Sequence, residues 1–151
     1  MSAHRPTTRY DFSIQDEIGE PTAAALVAPL AAFNRSKAGP SHSCGLFIIL
    51  RDSRGDVVGG LSGETSRGWL FIDYLVVPEE DRGQGIGRQV VAMAESEAIS
   101  RGCIGSWLNT FEFQARGFYE KLGYECFGQI DDHPPGYSRF FMKKKFAITS
   151  A

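Results

Sequence analysis

The stretch EEDRGQGIGRQVVAMAE, residues 79–95, places glycines at every second position, Gly83, Gly85 and Gly87, directly before a helical pattern. The start of a helix leaves about four backbone N–H groups without partners, and the helix dipole adds about half a positive charge there. Glycine allows a sharp turn and lets an anion approach the bare backbone. The stretch therefore predicts a phosphate-binding loop that opens a helix.

Two common phosphate-binding motifs do not fit this loop. A P-loop requires G-x-x-x-x-G-K-[ST], and no lysine follows the glycines here. A dinucleotide fingerprint requires G-x-G-x-x-G, and Arg88 occupies the position of its third glycine. The pattern that remains is R-x-x-G-x-G, made by Arg82, Gly85 and Gly87. Taken alone, such a loop is also compatible with ordinary turn chemistry.

The composition is that of one globular domain with a core of its own. The chain has 151 residues, of which 42% are hydrophobic and 23% are charged. A net charge of −2 disfavours a nucleic-acid partner. No apolar run reaches membrane-spanning length, so we expect no membrane partner and a cytoplasmic location.

The cysteines and histidines indicate neither disulfides nor a metal site. Cys44, Cys103 and Cys126 are far apart and odd in number, which argues against a disulfide framework and predicts packing roles. The three histidines are dispersed, and their spacing predicts no metal centre.

Hydrophobic periodicity predicts a single α+β domain over residues 9–147, with a loose N-terminus at 1–8 and a C-terminal tail at 148–151. Alternation predicts a first strand over 10–15, and an alanine-rich stretch predicts a helix over 22–37 that Pro29 kinks or divides. The other predicted elements are an antiparallel meander of strands at 46–52, 57–64 and 69–77, helices at 86–101 and 115–122, and strands at 103–108, 124–130 and 137–146.

The glycine-rich loop and a second motif, GFYEKLGYE at 117–125, together resemble the GNAT superfamily of acetyl-CoA-dependent N-acetyltransferases. The resemblance spans roughly residues 44–146 and includes strands ending in YLVVPE and WLNT. It implies a mixed, mostly antiparallel central sheet of six or seven strands flanked by about four helices. It also implies acetyl-CoA as co-substrate, an amine acceptor and no metal. Such folds commonly form homodimers, although no stretch here specifies an interface.

The resemblance assigns the coenzyme to the loop and to the strand before it. Main-chain amides of the loop bind the pyrophosphate, and the strand pairs with the pantetheine arm and polarises the thioester carbonyl. The residues carried over are Leu75, Val76, Val77, Arg82, Gly83, Gln84, Gly85, Ile86, Gly87 and Arg88.

One pantetheine contact is left open by the sequence. An asparagine is common in the family seven residues before the motif tyrosine, and this chain has Glu112 there. Gln114 and Asn109 are the candidate substitutes. Asn109 has a second interpretation, because an asparagine at the end of a strand also caps a following helix.

Transfer from a thioester to an amine needs a proton acceptor for the amine and benefits from a donor for the leaving thiolate. The resemblance implies that Tyr119 is the donor, and a core aromatic is the compatible alternative. Asp73 is a lone carboxylate in an apolar strand, and alternation places it on one face with Phe71 and Leu75. It is the candidate base or amine anchor if burial favours proton uptake. A structural or surface role for Asp73, Glu64 as base and a water chain are the alternatives.

The acceptor is expected near residues 33–44 and near the connection between the last two strands. Asp131, Asp132 and His133, beside a Pro-Pro-Gly turn, would suit a cationic amine, and solvated turn residues are the alternative. The sequence predicts an N-acetyltransferase that acts on a primary amine of a small molecule or peptide by direct attack in a ternary complex. A non-catalytic acyl-CoA sensor or interaction module on the same fold is the alternative.

Overall fold

The computed structural model describes residues 9–147. The predicted loose terminus at 1–8 and tail at 148–151 lie outside the described residues. The chain divides into two compact units, the first ending at Gly39 and the second beginning at Pro40. The assignment of residues 9–147 to a single domain therefore stays a prediction.

The described part of the first unit, residues 9–39, contains one helix, α1, Glu20–Ala38. Pro29 lies inside it without dividing it, and the helix ends where Gly39 adopts a φ of 74°. The predicted strand over 10–15 is wrong, because these residues form no regular structure. Tyr10, Phe12 and Ile14 are exposed, and an alternating pattern without a partner strand has no ladder to stabilise it.

The second unit is a six-stranded sheet with the strand order β1-β2-β3-β4-β6-β5, in which only the β3–β4 pair is parallel. This confirms the predicted mixed, mostly antiparallel sheet. Residues 9–147 hold three α-helices and one short 3-10 turn, Glu79–Asp81. The remaining elements are β1 Cys44–Arg51, β2 Val57–Ser66, β3 Trp69–Val76, α2 Ile86–Ser100, β4 Gly105–Phe111, α3 Arg116–Lys121, β5 Glu125–Ile130 and β6 Arg139–Lys145.

The core lies on one face of the sheet, where α2 and α3 both pack. The apolar face of α2 and Tyr119 of α3 are buried there because their 3.6-residue periodicity presents one apolar stripe to the strands. The buried hydrophobic residues are Leu46, Leu61, Leu70, Ile72, Val90, Val91, Ala94, Ala98, Cys103, Leu108, Tyr119, Tyr124, Phe140, Met142 and Phe146. Cys103 therefore packs as predicted, whereas Cys44 is exposed and the packing prediction for it is wrong.

A bulge in β3 opens the sheet. Gly63 of β2 lies opposite Ile72, and Ser62 lies opposite Tyr74, so Asp73 is an extra residue without a partner. The pairing of β3 with β4 ends at the same point, at Ile72 and Leu108. Beyond it, β4 continues only with β6. The two parallel strands therefore part from Asp73 onward and leave an opening between them.

Candidate active site

The glycine-rich loop has the geometry of an anion site. Gly83 and Gly85 have φ values of 80° and 82°, in the region that side chains disfavour. Gly85 is the N-cap of α2, and the first backbone bond back from the helix runs from the Gln89 N–H to the Gly85 carbonyl at 3.0 Å. Among residues 9–147, the amides of residues 85–88 donate to no backbone carbonyl. They are therefore free to bind an anion.

The third glycine serves a different purpose from the first two. A Cβ on Gly87 would lie 3.2 Å from Cζ of Phe118 and 3.6 Å from Cγ2 of Val77. A Cβ on Gly83 or Gly85, by contrast, would meet nothing within 4 Å. Gly87 thus allows the end of β3, the start of α2 and helix α3 to meet at one point.

The end of β3 presents backbone to the opening. On one side, Leu75 pairs with Leu61 and Val76 pairs with Gly60. On the side that faces β4, no strand of the described chain pairs with residues 74–76. An extended chain with amide groups can add to such an edge. The Nε of exposed Arg82 donates to the Val77 carbonyl at 3.4 Å, which ties the loop to this strand.

The expected placement of Asp73 is wrong. The bulge inserts one residue, so the alternation of faces inverts beyond it. Phe71 lies opposite Glu64, which is exposed, whereas Leu75 lies opposite the buried Leu61, and the two therefore point to opposite faces. Asp73 itself is exposed instead of buried, as is Glu64.

Tyr119 is a core aromatic whose environment also suits a proton donor. Its side chain is 6% exposed and makes edge contacts with the rings of Phe118 and Tyr124. Burial raises the pKa of Tyr119 to about 12. The hydroxyl therefore keeps its proton at neutral and mildly alkaline pH.

A polar network that the sequence did not reveal joins α2, β6 and Tyr124, which lies between α3 and β5. The Tyr124 hydroxyl donates to Glu95 Oε1 at 3.1 Å, and Lys144 Nζ approaches Oε2 of the same carboxylate at 2.8 Å. Burial above all raises the pKa of Tyr124. The network packs against Tyr119 through the Tyr124 ring, at a centroid distance of 5.7 Å.

Replacing Glu95 by alanine is expected to lower the free energy of unfolding by about 2 kcal/mol, because it leaves Lys144 and the Tyr124 hydroxyl without their partner. The matched control is Glu125→Ala, which removes an ion pair of 4.0 Å whose glutamate is 74% exposed, against 13% for Glu95. The control is expected to cost less than about 1 kcal/mol. Urea unfolding followed by circular dichroism measures both, and equal losses would contradict the role given to the network.

The carboxylates of Asp131 and Asp132, in the loop after β5, accept hydrogen bonds from residues in and beside that loop. Asp131 Oδ1 accepts hydrogen bonds from Gln129 Nε2 at 2.7 Å and from the Ser138 hydroxyl at 3.1 Å. Asp132 has a φ of 53°, and its Oδ1 accepts the Gly136 N–H at 3.2 Å. This arrangement matches the alternative interpretation of the two aspartates as turn residues.

Asn109 is bound by a residue that the sequence did not single out, Arg139. Its Oδ1 accepts hydrogen bonds from Nε of Arg139 at 2.8 Å and from Nη2. The helix-cap interpretation of Asn109 is wrong, because α3 begins at Arg116 with Ala115 as its N-cap. The only sequence signal for Arg139 was a cation at the start of an apolar strand, which is also typical of a solvated strand end.

Gln114 shapes the turn into α3. Its Oε1 accepts the Phe111 N–H at 2.9 Å and the Thr110 hydroxyl at 3.4 Å. The side-chain amide nitrogen is not part of these bonds. Gln114 therefore keeps two N–H donors for a further partner.

The described part of the chain offers neither a cluster of metal ligands nor a membrane span. Within residues 9–147, no three histidine, cysteine or acidic side chains are grouped as metal ligands would be. None of the helices in that range is both long and apolar enough to cross a membrane.

The chain is similar to known acetyltransferases over most of its length. Residues 13–124 match the acetyltransferase (GNAT) family. An acetyltransferase of Agrobacterium fabrum is 38% identical over 136 residues, which cover 90% of this chain and 99% of the relative. A blasticidin-S acetyltransferase of Streptomyces morookaense is 39% identical over 106 residues, 70% of this chain and 73% of the relative.

A solved structure agrees with these relatives. A crystal structure assigned as an acetyltransferase from Agrobacterium tumefaciens matches with a TM-score of 0.84 at 37% identity, covering 91% of this chain and 100% of that one. The chain therefore belongs to the GNAT acetyltransferase family. It is an acyltransferase. A cytoplasmic location and a homodimer stay predictions.

Proposed function

We propose that the chain is an N-acetyltransferase that moves an acetyl group from acetyl-CoA to a primary amine by direct attack in a ternary complex. The observation that carries the proposal is the meeting of three segments that are distant in sequence. Gly87 lies at the start of α2, and a Cβ added there would be 3.6 Å from Val77, just after β3, and 3.2 Å from Phe118, the neighbour of Tyr119. A coenzyme that follows the strand from the loop would bring its sulfur toward Tyr119.

The coenzyme would be held mainly by backbone. The amides of residues 83–88 bind the pyrophosphate, and the exposed Arg82 and Arg88 add positive charge. The pantetheine arm pairs with Leu75, Val76 and Val77 along the open side of β3. Gln114 supplies a side-chain amide donor, whereas the oxygen of Asn109 is already bound by Arg139.

The transfer itself forms a C–N bond and breaks a C–S bond. The neutral amine attacks the thioester carbonyl, and a backbone N–H beyond the bulge stabilises the oxyanion. The intermediate collapses, and the departing thiolate takes the proton of the Tyr119 hydroxyl, which afterwards regains a proton from solvent. The amine proton passes through a chain of acceptors that ends in solvent, to which the carboxylates of Asp73 and Glu64 are exposed. Either carboxylate would serve as the first acceptor in such a chain.

The acceptor is a primary amine of a small molecule or peptide. Support for a small molecule comes from the relative named blasticidin-S acetyltransferase, which is 39% identical. Release of free coenzyme A thiol from acetyl-CoA, measured across amines, amino acids, aminoglycosides and peptides, tests the proposal. We expect release that depends on the amine, with the acetylated amine found by mass spectrometry. Acetyl-CoA binding without any amine-dependent release would overturn it.

Replacing Gly85 by valine is expected to raise the Kd for acetyl-CoA at least about 10-fold. A β-branched residue disfavours the φ of 82° by about 1–2 kcal/mol, and its side chain would stand where the phosphate approaches. Isothermal titration calorimetry measures the Kd.

The matched control for this prediction is Gly55→Val. Gly55 has a φ of 87° and lies in the β1–β2 turn, where an added Cβ would meet nothing within 4 Å. Both variants bear a similar backbone strain, so both should melt earlier, but only Gly85→Val should lose coenzyme affinity. If the two variants bound acetyl-CoA with equal affinity, the loop would not be part of the coenzyme-binding site.

A further inference from the structure

Arg139 lies on β6, next to β4, the strand that borders the opening on one side. It begins β6 opposite Phe111 of β4, and its guanidinium binds the side chain of Asn109. Asn109 is the first β4 residue beyond Leu108, where the pairing with β3 ends. Arg139 and Phe111 share the sheet face opposite the buried Thr110 and Phe140. The Arg139 side chain therefore lies on the face of the sheet that points away from α2 and α3.

The partners that hold this guanidinium are not carboxylates. Nε and Nη2 donate to the Asn109 carboxamide, and Nη1 lies 3.2 Å from Nε2 of His133. The guanidinium carbon lies 4.8 Å from the centre of the Phe111 ring. Within residues 9–147, the ion pairs of 4.0 Å or less involve other cations. A half-buried arginine is thus oriented from three sides without a counter-charge.

Two acidic residues of the loops that adjoin Arg139, Asp131 and Glu112, already accept hydrogen bonds from other groups. Asp131 accepts two side-chain hydrogen bonds within its loop. Glu112 Oε2 accepts the Ser138 N–H at 2.7 Å, which joins the β4–α3 turn to the β5–β6 loop. These carboxylates shape the loops around Arg139 and do not pair with it.

The guanidinium retains donors for a ligand. It carries five N–H groups, and the contacts with Asn109 and His133 use three of them. One N–H therefore remains on each terminal nitrogen. Guanidinium N–H groups are strong donors to carboxylate oxygens. Beside it, Phe113 packs on Phe111 and Tyr137 and forms an exposed aromatic wall.

We propose that Arg139 binds a carboxylate of the acceptor, so that the acceptor is an amine that also carries a carboxylate, as an amino acid does. Asn109 and His133 position the guanidinium, and the aromatic wall contacts the apolar part of the acceptor. The inference rests on the proposed N-acetyltransferase function.

Binding measured without turnover tests the carboxylate site. The protein is saturated with coenzyme A, and calorimetry compares matched pairs of acid and primary amide: phenylalanine and phenylalaninamide, lysine and lysinamide, 4-aminobutyrate and its amide. We expect acids to bind at least about 10-fold more tightly than their amides. Arg139→Gln should abolish this preference. Arg139→Lys should retain part of it, since lysine keeps the positive charge but lacks the paired N–H donors of the guanidinium. The control Arg54→Gln, at an exposed turn, should change nothing.

The same pairs are then assayed for release of coenzyme A thiol from acetyl-CoA. Loss of acid turnover in Arg139→Gln, with amide turnover changed less than about 3-fold, would support the inference. Turnover of acids and amides at equal rates would overturn the inference and leave the transferase function standing. Acid-selective binding without any acetylation would support the carboxylate site and overturn the transferase function. No acid preference in either assay would overturn the inference.

Discussion

Replacing Tyr119 by phenylalanine is expected to slow acetyl transfer by about 10²- to 10⁴-fold, the range typical of a lost general acid. The hydroxyl is the only group removed, and the ring contacts with Phe118 and Tyr124 remain available. The Kd for acetyl-CoA should stay within about 3-fold, because the proton is needed only as the C–S bond breaks. Continuous assays of thiol release measure the rate, and calorimetry measures the Kd.

The pH dependence follows from the raised pKa of Tyr119. At about 12, it lies above the ordinary tyrosine value of about 10. The folded protein therefore holds this proton between pH 10 and 12 while the unfolded chain releases it. The resulting stabilisation is fully present below pH 10 and is lost as the pH rises through 12. Ionisation of Tyr119 should thus cause no fall in the transfer rate below pH 10. In Tyr119→Phe, the part of the loss of unfolding free energy above pH 10 that comes from Tyr119 should be absent.

The control is Tyr10→Phe, which removes a hydroxyl from an exposed side chain in the first unit. Its rate should equal that of the unaltered protein. If Tyr119→Phe retained a rate within about 3-fold as well, Tyr119 would be a core aromatic alone, and the thiolate would leave without a proton donor from this helix.

Replacing Gly60 by alanine is expected to cost about 3 kcal/mol or more of unfolding free energy. Gly60 has a φ of 139°, and a Cβ there would lie 1.9 Å from the carbonyl oxygen of Ile48 on β1. Gly60 also pairs with Val76, the β3 residue that borders the opening. The backbone must therefore shift where the coenzyme arm is proposed to bind, so affinity for acetyl-CoA should fall together with stability.

Gly117→Ala is the matched control for this prediction. Gly117 lies in α3, has nothing within 4 Å of an added Cβ and has no positive φ. Alanine is the better helix former, so this variant should gain up to about 1 kcal/mol. Urea unfolding compares the two variants, and a loss of less than about 1 kcal/mol in Gly60→Ala would show that β1 and β2 can separate to admit a methyl group.

The elements that the sequence predicted well are those whose signals are local. The meander of β1–β3, the loop at 83–88 and helix α2 were found because turn residues and a period of 2 or 3.6 occur within each segment. The prediction of a strand over 10–15 was wrong because strand formation also depends on a non-local contact. Its alternation is local, but a strand is stable only with a partner, and no strand of the described chain pairs with it.

The residues of the candidate site also fall into those that local motifs identify and those that depend on contacts between distant segments. The residues of the phosphate loop and Tyr119 were named from motifs, and their proposed roles await the experiments above. The expectation that Asp73 shares one face with both Phe71 and Leu75 was wrong, because the bulge depends on how β2 pairs with β3, which alternation within β3 cannot report. Arg139 was missed because its partner Asn109 is 30 residues away in the chain.

The sequence by itself determined the family, the coenzyme motif and the order of the main elements, because each depends on residues close together in the chain. Only the tertiary structure decided where β3 leaves β4 and that Asp73 is an exposed bulge residue. It also decided that Gly87 makes room for Phe118 and that Arg139 has no carboxylate partner in the described chain. These features depend on strand register and on contacts between distant segments. A single residue inserted into a ladder, as at Asp73, inverts the alternation of faces beyond it without changing the local pattern.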